Sequence, residues 1–316
     1  MNRTAAGLAL LLFWPGAVLG QQTRVVHPFP QDSLAGSYRI YEPAGKAVGV
    51  LVLLPGGAAS YNEFQADGST PSTLPQQLSE QQIVTIVPSA EGFPASWLED
   101  RYLKHLDAIV AETLTTHQIP SDRVIVGGFS GGGTTAVRFA EFCAAGRSAA
   151  RISIRSVFAV DAPLDLTRFW RGETLAIRRG ADTRYVAEAK FVLGQMRDVL
   201  GGSPEARPAR YLQTSPYSAF ADGGGQARLL AQLPVRLYTE PDVQWWMTNR
   251  KVDYYNMNAL DAAGLILQLQ LLGNREAQLI TTQGRGYRPD GSRHPHSWSI
   301  VDETELRAWV LKQMQS

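Results

Sequence analysis

The chain has 316 residues, of which 44% are hydrophobic and 19% are charged. This composition supplies enough apolar material for a large packed core, so it excludes a disordered chain and a coiled coil. There are 30 Lys+Arg against 29 Asp+Glu, which gives a formal net charge of +1. We expect no nucleic-acid partner, because this balance provides no strong positive field. The single cysteine, Cys143, excludes an internal disulfide.

Residues 1–20 have the layout of a secretory signal peptide. Arg3 precedes an apolar stretch from Ala5 to Trp14, and small residues end the segment before Gln21. The apolar stretch is too short for a bilayer span, which needs about 20 residues. The sequence therefore predicts a secreted or periplasmic protein that has no stable membrane anchor once the leader is cleaved.

Short apolar runs rich in β-branched residues alternate with helical patterns along the rest of the chain. The apolar runs predict buried parallel strands at residues 48–54, 83–87, 124–126, 156–160, 235–239 and 277–281. Apolar residues at helical spacing predict helices at residues 99–118, 131–145 and 306–314. This alternation predicts an α/β fold, in which a mostly parallel central sheet carries helices on both faces.

One interval, residues 162–233, interrupts the alternation. It lies between the strand that ends near Val160 and the strand that begins near Val235, and only residues 184–200 within it have a clear helical pattern. Long connections of this kind are commonly lids, binding loops or flexible insertions. We interpret the interval as a lid-like insertion, and a merely decorative insertion is the alternative.

A serine follows the third predicted strand in the sequence Gly128-Phe129-Ser130-Gly131-Gly132, which fits G-x-S-x-G. At a tight turn from strand to helix, a serine exposes its hydroxyl above the sheet, and neighbouring glycines avoid collisions there. The amide of Gly131 would lie at the helix N-terminus, where it can stabilise a developing negative charge. The motif therefore predicts a nucleophile at Ser130.

With this turn, the chain resembles the α/β-hydrolase superfamily over nearly all of its length after the leader. The segment at residues 53–57, LLPGG, resembles the oxyanion loop of that superfamily, although Pro55 stands where a histidine is frequent. The resemblance implies that one α/β-hydrolase domain at residues 21–316, which includes the insertion at residues 162–233, follows the predicted signal peptide at residues 1–20.

The resemblance also implies an oxyanion hole, which is a pair of backbone amides that hold the negative oxygen of a tetrahedral intermediate. Gly131 would supply one amide, and either Gly57 or Ala58 would supply the other. A simple turn that ends a strand is the alternative interpretation of residues 55–57.

A serine hydroxyl needs a base that takes its proton, and the base needs a carboxylate that fixes its tautomer. The resemblance implies the chain order serine, acid, histidine, and only His294 and His296 follow Ser130. We favour His296, because the residues after it lead directly toward the last helix. His294 is the alternative base.

Three carboxylates are candidates for the orienting acid. We favour Asp242, which follows the predicted strand at residues 235–239 by a few positions, as the resemblance implies. Glu240 directly after that strand and Asp161 at the end of the preceding strand are the alternatives. Each of them could instead cap a turn or a helix, which is a common use of acidic residues after strands.

Tryptophans near these loops are candidate walls of a substrate pocket, namely Trp97, Trp170, Trp245 and Trp246. Paired tryptophans also serve in core or lid packing. We expect a small-molecule or short peptide substrate. No metal site or cofactor is implied, because the sequence contains no H-E-x-x-H motif or close His/Asp cluster. No pattern specifies an oligomeric state.

The sequence therefore predicts a secreted serine hydrolase that cleaves an ester or amide bond through an acyl-enzyme on Ser130. We favour a carboxylic-ester hydrolase over a secreted peptidase of the same fold, because no propeller-sized gating domain is evident. A non-catalytic binding protein on a hydrolase scaffold is an alternative. Residues 131–136 also fit the dinucleotide motif G-x-G-x-x-A, although Asp161 stands farther along the chain than the usual ribose-binding acid.

Overall fold

The computed structural model describes residues 22–27, 37–57 and 72–315. The predicted leader at residues 1–20 lies outside these ranges. The strands are β1 (Gln22–Val26), β2 (Tyr38–Glu42), β3 (Gly49–Leu54), β4 (Ile83–Pro88), β5 (Val124–Phe129), β6 (Ile154–Val160), β7 (Val235–Thr239) and β8 (Ala277–Thr281). Together they form one sheet in the order β1-β2-β4-β3-β5-β6-β7-β8. The pairs from β4 to β8 are parallel.

Helices connect most of the parallel strands. They are α1 (Leu74–Ser79), α2 (Asp100–His117), α3 (Gly131–Ala144), α4 (Leu166–Arg179), α5 (Thr183–Leu200), α6 (Pro208–Thr214), α7 (Val243–Arg250), α8 (Ala259–Leu271) and α9 (Glu303–Gln315). In the part of the chain that the structure describes, no helix is long and apolar enough to cross a membrane.

The sheet carries helices on both faces because successive side chains of each strand point in opposite directions. In β3, Val50 and Val52 join the apolar cluster beneath α2, α3 and α8. Leu51 and Leu53 join the second cluster, beneath α1 and α9. Every residue of β3 is buried, as expected for a strand that is covered on both faces. The predicted α/β fold with a mostly parallel sheet is confirmed.

β1 and β2 extend the sheet beyond β4 through antiparallel pairs, and the sequence pattern did not predict either strand. β1 pairs with β2, and β2 pairs with β4, with Tyr38 opposite Pro88. Only Tyr38 and Ile40 of β2 are buried. Two buried positions in five residues make a hydrophobic pattern too short to distinguish from a loop.

Residues 162–233 contain more helix than their sequence pattern indicates, since α4 and α6 accompany the predicted helix at α5. α4 begins at Asp165, whose side chain accepts hydrogen bonds from the backbone N–H groups of Thr167 and Arg168, each at 3.0 Å. It ends at Gly180, which adopts a left-handed conformation with φ of 70°. These are the usual signals of helix start and stop. We call α4 and α5 the cap helices.

A buried ion pair attaches the cap helices to the rest of the domain. Arg168 of α4 donates through Nε to Asp261 of α8 at 2.8 Å, and its Nη2 also donates to this carboxylate. Asp261 accepts the backbone N–H groups of Leu164 and Asp165 as well, each at 3.0 Å. With four hydrogen bonds, the carboxylate is satisfied although it is buried, and it fixes the start of α4 against α8.

Candidate active site

Ser130 occupies a strained turn between β5 and α3. Its backbone has φ of 53° and ψ of −126°, a combination that non-glycine residues adopt rarely. Its backbone N–H donates to the carbonyl of Val160 at 2.9 Å, which ties the turn to the neighbouring strand β6. The side chain therefore stands at the carboxyl edge of the sheet, as the G-x-S-x-G motif predicts.

Close packing explains the glycines on either side of the serine. A methyl group on Gly132 would lie 2.1 Å from the carbonyl oxygen of Pro55, and one on Gly128 would lie 2.5 Å from Gly132 itself. Both separations are far below van der Waals contact. Only residues without a side chain allow α3 to approach the end of β3 this closely, and that approach holds the turn in place.

The same packing bears on the dinucleotide interpretation of residues 131–136. A methyl group on Gly133 would lie 2.8 Å from the side chain of Ala162, and Gly132 faces the backbone at Pro55. In a dinucleotide-binding turn, these glycines would instead leave room for a pyrophosphate. Here they contact the protein's own chain, so the motif serves the turn at Ser130.

His296 lies beside Ser130, in the loop between β8 and α9. Its Nε2 is 2.9 Å from Oγ of Ser130, and its Nδ1 is 2.6 Å from Oδ2 of Asp161. Because a carboxylate accepts hydrogen bonds, the proton of the neutral ring is on Nδ1, and Nε2 is able to accept the serine proton. The imidazole also packs against the ring of Phe129, with centroids 4.8 Å apart.

Asp161 directly follows β6 in a left-handed backbone conformation, with φ of 45°. Its Oδ1 accepts a hydrogen bond from the hydroxyl of Thr239 at 3.3 Å. Asn258 donates to its carbonyl oxygen at 2.8 Å. The side chain is thereby held from β7 and the backbone from the start of α8, and the second carboxylate oxygen bonds His296. The structure therefore brings Ser130, His296 and Asp161 together.

The structure does not bring Asp242, the favoured acid, to His296. Asp242 precedes α7, and its Oδ1 accepts the backbone N–H of Trp245 at 2.9 Å, as a helix cap does. Its Oδ2 accepts from Arg293, and this hydrogen bond lowers the pKa of Asp242 below its usual value. Asp242 stands directly before the first residue of α7, which is the position where an aspartate caps a helix.

Glu240, the second candidate acid, is also engaged elsewhere. Its Oε1 accepts from the backbone N–H of Gly284 at 2.6 Å and from Arg293 at 2.7 Å. Its Oε2 accepts from the hydroxyl of Thr282 at 2.6 Å. The buried carboxylate therefore fastens the loop after β8 to the end of β7, and it does not contact His296.

His294, the alternative base, lies next to the same site but makes different contacts. Its Nδ1 is 3.0 Å from the carbonyl oxygen of His296, so Nδ1 carries the proton and donates. The ring packs against Trp245 and Trp246, at centroid distances of 4.8 Å and 5.4 Å. Burial lowers the pKa of His294 to about 3, and the neighbouring His296 contributes to this. The ring is therefore neutral at ordinary pH, and it steadies the backbone of His296.

The backbones of Gly131 and Gly57 lie close together beside Ser130. A methyl group on Gly131 would lie 3.4 Å from the backbone nitrogen of Gly57, so the two segments are in contact. Both glycines line the same cavity as Ser130. This is the arrangement that an oxyanion hole requires. Ala58, the other candidate for the second amide, lies outside the described residues.

A cavity of about 210 Å³ opens at the serine. Ser130, His296 and Gly131 line its base, and the cap helices contribute Phe169, Glu173 and a face of α5. The residues of α5 are spaced by about one turn, which places them on one side of the helix. They are Tyr185, Glu188, Phe191, Val192 and Gln195.

Of the four tryptophans proposed as pocket walls, Trp97 and Trp246 line the cavity. Trp97 is buried, and its indole N–H donates to Gln195 of α5 at 3.0 Å. Trp245 packs against His294 and Trp246 instead, and Trp170 packs against Tyr211 of α6 with centroids 6.1 Å apart. The sequence did not single out Glu173 or Tyr185, because acidic and aromatic residues on a helix usually indicate a solvated or packing face.

This arrangement can carry out proton transfer from a hydroxyl. The imidazole between Ser130 and Asp161 is able to take the serine proton, and the carboxylate stabilises the imidazolium that forms. The serine oxygen then becomes a nucleophile toward a carbonyl held in the cavity. The sequence located Ser130 and His296 here, while Asp161 was the third choice for the acid.

No protein-family model matches the chain, and no curated protein matches it at a significant level. Solved structures do match. Esterase B from Lactobacillus rhamnosis is 13% identical with a TM-score of 0.57, over 94% of this chain and 86% of that one. An S-formylglutathione hydrolase from Agrobacterium tumefaciens is 12% identical with a TM-score of 0.53, over 95% and 97% of the two chains.

An acylaminoacyl peptidase from Pyrococcus horikoshii is similar as well, at 11% identity and a TM-score of 0.56. The match covers 94% of this chain but only 41% of the peptidase. Identities this low establish the architecture alone, and in these neighbours it is the architecture of esterases and peptidases. Together with the strand order and the serine turn, these matches show that the chain has the α/β-hydrolase fold.

Proposed function

We propose that the chain is a serine hydrolase that cleaves an ester or amide bond through an acyl-enzyme. The observation that carries the proposal is the hydrogen-bonded chain from Ser130 through His296 to Asp161, with distances of 2.9 Å and 2.6 Å. Its position at the base of a cavity, on a strained turn, supports a catalytic use rather than a packing role.

In the first half of the reaction, Ser130 Oγ attacks the substrate carbonyl while its proton passes to Nε2 of His296. The carbonyl oxygen becomes an oxyanion, which accepts hydrogen bonds from the amides of Gly131 and Gly57. The intermediate then expels an alcohol or amine, which takes the proton from His296. Asp161 keeps the imidazole oriented and stabilises its charged form.

In the second half, a water molecule attacks the acyl group on Ser130 and gives its proton to His296. The tetrahedral intermediate collapses, the acid product leaves, and the proton returns to the serine oxygen. Each half uses the same base and the same oxyanion site, so no further group is needed.

We favour an ester over a peptide bond as the substrate linkage. The chain spans most of the length of the similar esterase, at 86%, and 97% of the similar S-formylglutathione hydrolase. It spans about two fifths of the similar acylaminoacyl peptidase, at 41%. Hydrolysis rates on matched ester and amide pairs with the same acyl group provide the test, and faster amide cleavage would reverse this preference.

Labelling with a fluorophosphonate probe tests the mechanism. The probe phosphonylates a nucleophilic serine, so we expect a single adduct on Ser130 by peptide mass spectrometry. Ser130→Ala should abolish it, and His296→Ala should slow it strongly, while both variants keep the wild-type circular dichroism spectrum. Ser203→Ala, a serine that does not line the cavity, is the matched control and should label at the wild-type rate.

With a p-nitrophenyl ester, Ser130→Ala and His296→Ala should lower kcat by roughly four to six orders of magnitude. Equal turnover by wild type and Ser130→Ala would contradict the hydrolase and favour a non-catalytic binding protein on this scaffold.

We also propose that the protein is exported, on the basis of the signal-peptide layout at residues 1–20. N-terminal peptide mapping of protein recovered outside the cytoplasm should find a chain that begins at Gln21. A chain retained in the cytoplasm with Met1 intact would contradict export.

We further propose that residues 162–233 act as a lid-like insertion, because α4 and α5 within it line the cavity. Hydrogen exchange of the cap helices should slow when a phosphonate inhibitor occupies Ser130. Unchanged exchange there would argue for a rigid cap.

A further inference from the structure

The cavity contains a buried carboxylate that the proposed reaction does not use. Glu173 of α4 is only 4% exposed, and it lines the cavity. Its Oε1 accepts a hydrogen bond from the hydroxyl of Tyr185 at 2.8 Å. Among the described residues, no side chain or backbone group donates to its Oε2, and no cation forms an ion pair with it. Burying such a group costs free energy unless a partner compensates it.

The surroundings of Glu173 hold it in a set position. The amide nitrogen of Asn256 donates to the carbonyl oxygen of Gly172 at 2.8 Å and to the Tyr185 hydroxyl at 3.4 Å. Tyr185 in turn donates to Glu173. This chain of hydrogen bonds fixes one oxygen of a carboxylate that lines the cavity. A group that is fixed in this way is prepared for a ligand rather than for solvent.

A second carboxylate lies on the same side of the cavity. Glu188 is one turn after Tyr185 on α5, and it is exposed where it lines the cavity. The pKa of Glu173 is raised first by burial and also by the charge of Glu188, which places the two groups within electrostatic reach of each other. In the described part of the chain, Glu188 also has no ion-pair partner. The cap side of the cavity therefore carries two carboxylates with no cation of the protein's own.

Basic residues near the cavity are already engaged. Arg250 lines the cavity, but it pairs with Asp182 at 3.4 Å and lies over the ring of Trp245. Arg168, on the same helix as Glu173, is bound to Asp261. These cations are therefore committed to other carboxylates. Arg168 still lowers the pKa of Glu173, but by less than burial and the charge of Glu188 raise it.

On this basis we propose that the cavity binds a substrate with a cationic group, a primary ammonium or a guanidinium, which Glu173 and Glu188 hold while Ser130 attacks the ester or amide carbonyl. The inference rests on the proposed hydrolase function and adds the class of substrate. The aromatic walls suit the stem of such a substrate, since Phe169 and Trp246 also line the cavity.

The first test compares three p-nitrophenyl esters that differ only at the end of the acyl chain. The ω-aminohexanoate has a terminal ammonium, the heptanoate has a methyl group in its place, and the pimelate monoester has a carboxylate. We expect kcat/KM to fall in this order, with the cationic ester favoured over the heptanoate by about ten- to hundredfold, the usual gain from a charged hydrogen bond.

A second series places the same end groups in the alcohol, as butyrate esters of ω-aminohexanol and of heptanol followed by pH-stat titration. The inference requires that the substrate with the terminal ammonium has a higher kcat/KM than its neutral counterpart in at least one of the two series. A ratio of cationic to neutral substrate near or below one in both series would overturn the inference.

Substitutions at the two carboxylates show which of them is responsible for the preference for a cationic substrate. Glu173→Gln keeps the size of the side chain and should reduce the ratio of kcat/KM for the cationic ester to kcat/KM for the heptanoate by about tenfold. Glu188→Gln, at an exposed position that tolerates change, should reduce it by a smaller factor. The matched control is Glu205→Gln, an exposed glutamate that pairs with Arg171 and does not line the cavity. If both cavity variants keep the full preference, the inference is wrong.

The preference should also depend on pH. Burial raises the pKa of Glu173 to about 7. An alkylammonium stays charged to about pH 10, so the ratio of cationic to neutral kcat/KM should rise between pH 6 and pH 8. Any effect of pH on the acylation step itself acts on both substrates and cancels in the ratio. The other charged or titratable groups that face or adjoin this region are Arg168, Tyr185, Glu188, Arg250, Glu240 and His294.

A binding measurement, which needs no turnover, distinguishes the proposed cationic site from the proposed hydrolase function. Hexylammonium binding, followed by the fluorescence of the cavity tryptophans, should be tighter than hexanol binding and should weaken in Glu173→Gln. Equal binding of the two probes would count against the cationic site even if the enzyme is active. Tight hexylammonium binding without fluorophosphonate labelling of Ser130 would instead contradict the hydrolase and keep the cationic site.

Discussion

His296 and Asp161 are separated by 135 positions in the sequence, and Nδ1 of the first lies 2.6 Å from Oδ2 of the second. Asp161 reaches this position because it ends β6, the strand next to β5, which ends at the serine turn. A carboxylate on an adjacent strand end can support the histidine as directly as one on the later loop. The contact has a clear consequence for mutagenesis.

Asp161→Asn should lower kcat by about 10³ to 10⁴, because an amide at this place no longer fixes the imidazole in the tautomer that accepts the serine proton. Asp242→Asn should change kcat by less than about tenfold. It should cost less than about 1 kcal/mol of stability, because asparagine still caps α7 and only the partly exposed ion pair with Arg293 is lost. Steady-state kinetics and urea unfolding of both variants measure the contrast. A larger loss of kcat in Asp242→Asn than in Asp161→Asn would mean that Asp242 is the acid that orients His296.

Gly132→Ala should destabilise the fold by about 3 kcal/mol or more, because the added methyl group would lie 2.1 Å from the carbonyl oxygen of Pro55. Gly194→Ala is the matched control within α5, where nothing lies within 4 Å of the added group. It should stabilise by about 0.5 to 1 kcal/mol. Urea unfolding midpoints of the two variants should therefore move in opposite directions, and a neutral result for Gly132→Ala would contradict the packing at the turn.

Arg168→Met and Arg171→Met test the attachment of α4, because both arginines lie on this helix. Removing Arg168 leaves the carboxylate of Asp261, which is 2% exposed, without its cation, and this should cost about 3 to 5 kcal/mol. Arg171 pairs with Glu205 in solvent, so its loss should cost less than about 1 kcal/mol. The free energy of unfolding in urea is the measurement. Similar costs for the two variants would mean that the buried pair does not fasten the cap.

Glu173→Gln should stabilise the protein increasingly as the pH rises. The folded wild type keeps the Glu173 proton up to a pKa of about 7, while the unfolded chain loses it near its ordinary value of 4.5. Between these values, wild-type stability falls by up to ~1.4 kcal/mol per pH unit. Glutamine does not titrate, so the stability of the variant does not fall for this reason as the pH rises.

Unfolding in urea at pH 5 and at pH 8 checks the prediction, with the exposed Glu276→Gln as the control. From pH 5 to pH 8, the free energy of unfolding of Glu173→Gln should increase relative to that of the wild type, and that of the control should not. An equal difference at both values would mean that Glu173 is not an uncompensated buried acid.

The strands and the serine turn could be predicted from the sequence because their signals are local. A run such as residues 49–54 has no polar residue, and the glycines around Ser130 stand where the backbone requires them. The α/β fold followed from these elements alone. The antiparallel strands β1 and β2 escaped detection, because so few of their residues are buried.

The contact of Asp161 with His296 could not be read from the sequence, because three carboxylates stand at the same edge of the sheet. The spatial order of β6 and β7 decides between them, together with the ion pairs that Arg293 forms with Asp242 and Glu240. Both facts depend on tertiary contacts. The helix α4 was missed for a related reason, since its buried charges at Arg168 and Glu173 break the apolar stripe that identifies helices.

Arg293 joins the loop of His296 to the end of β7 through Glu240 and Asp242. These attachments all belong to the sheet side of the molecule, whereas Glu173 and Tyr185 belong to the cap helices. The loop of His296 is thus held mainly from the sheet side, and Glu173 is held from the cap helices and from Asn256. Directed evolution of the cap alone should therefore yield enzymes with new selectivity that retain the parental acylation chemistry.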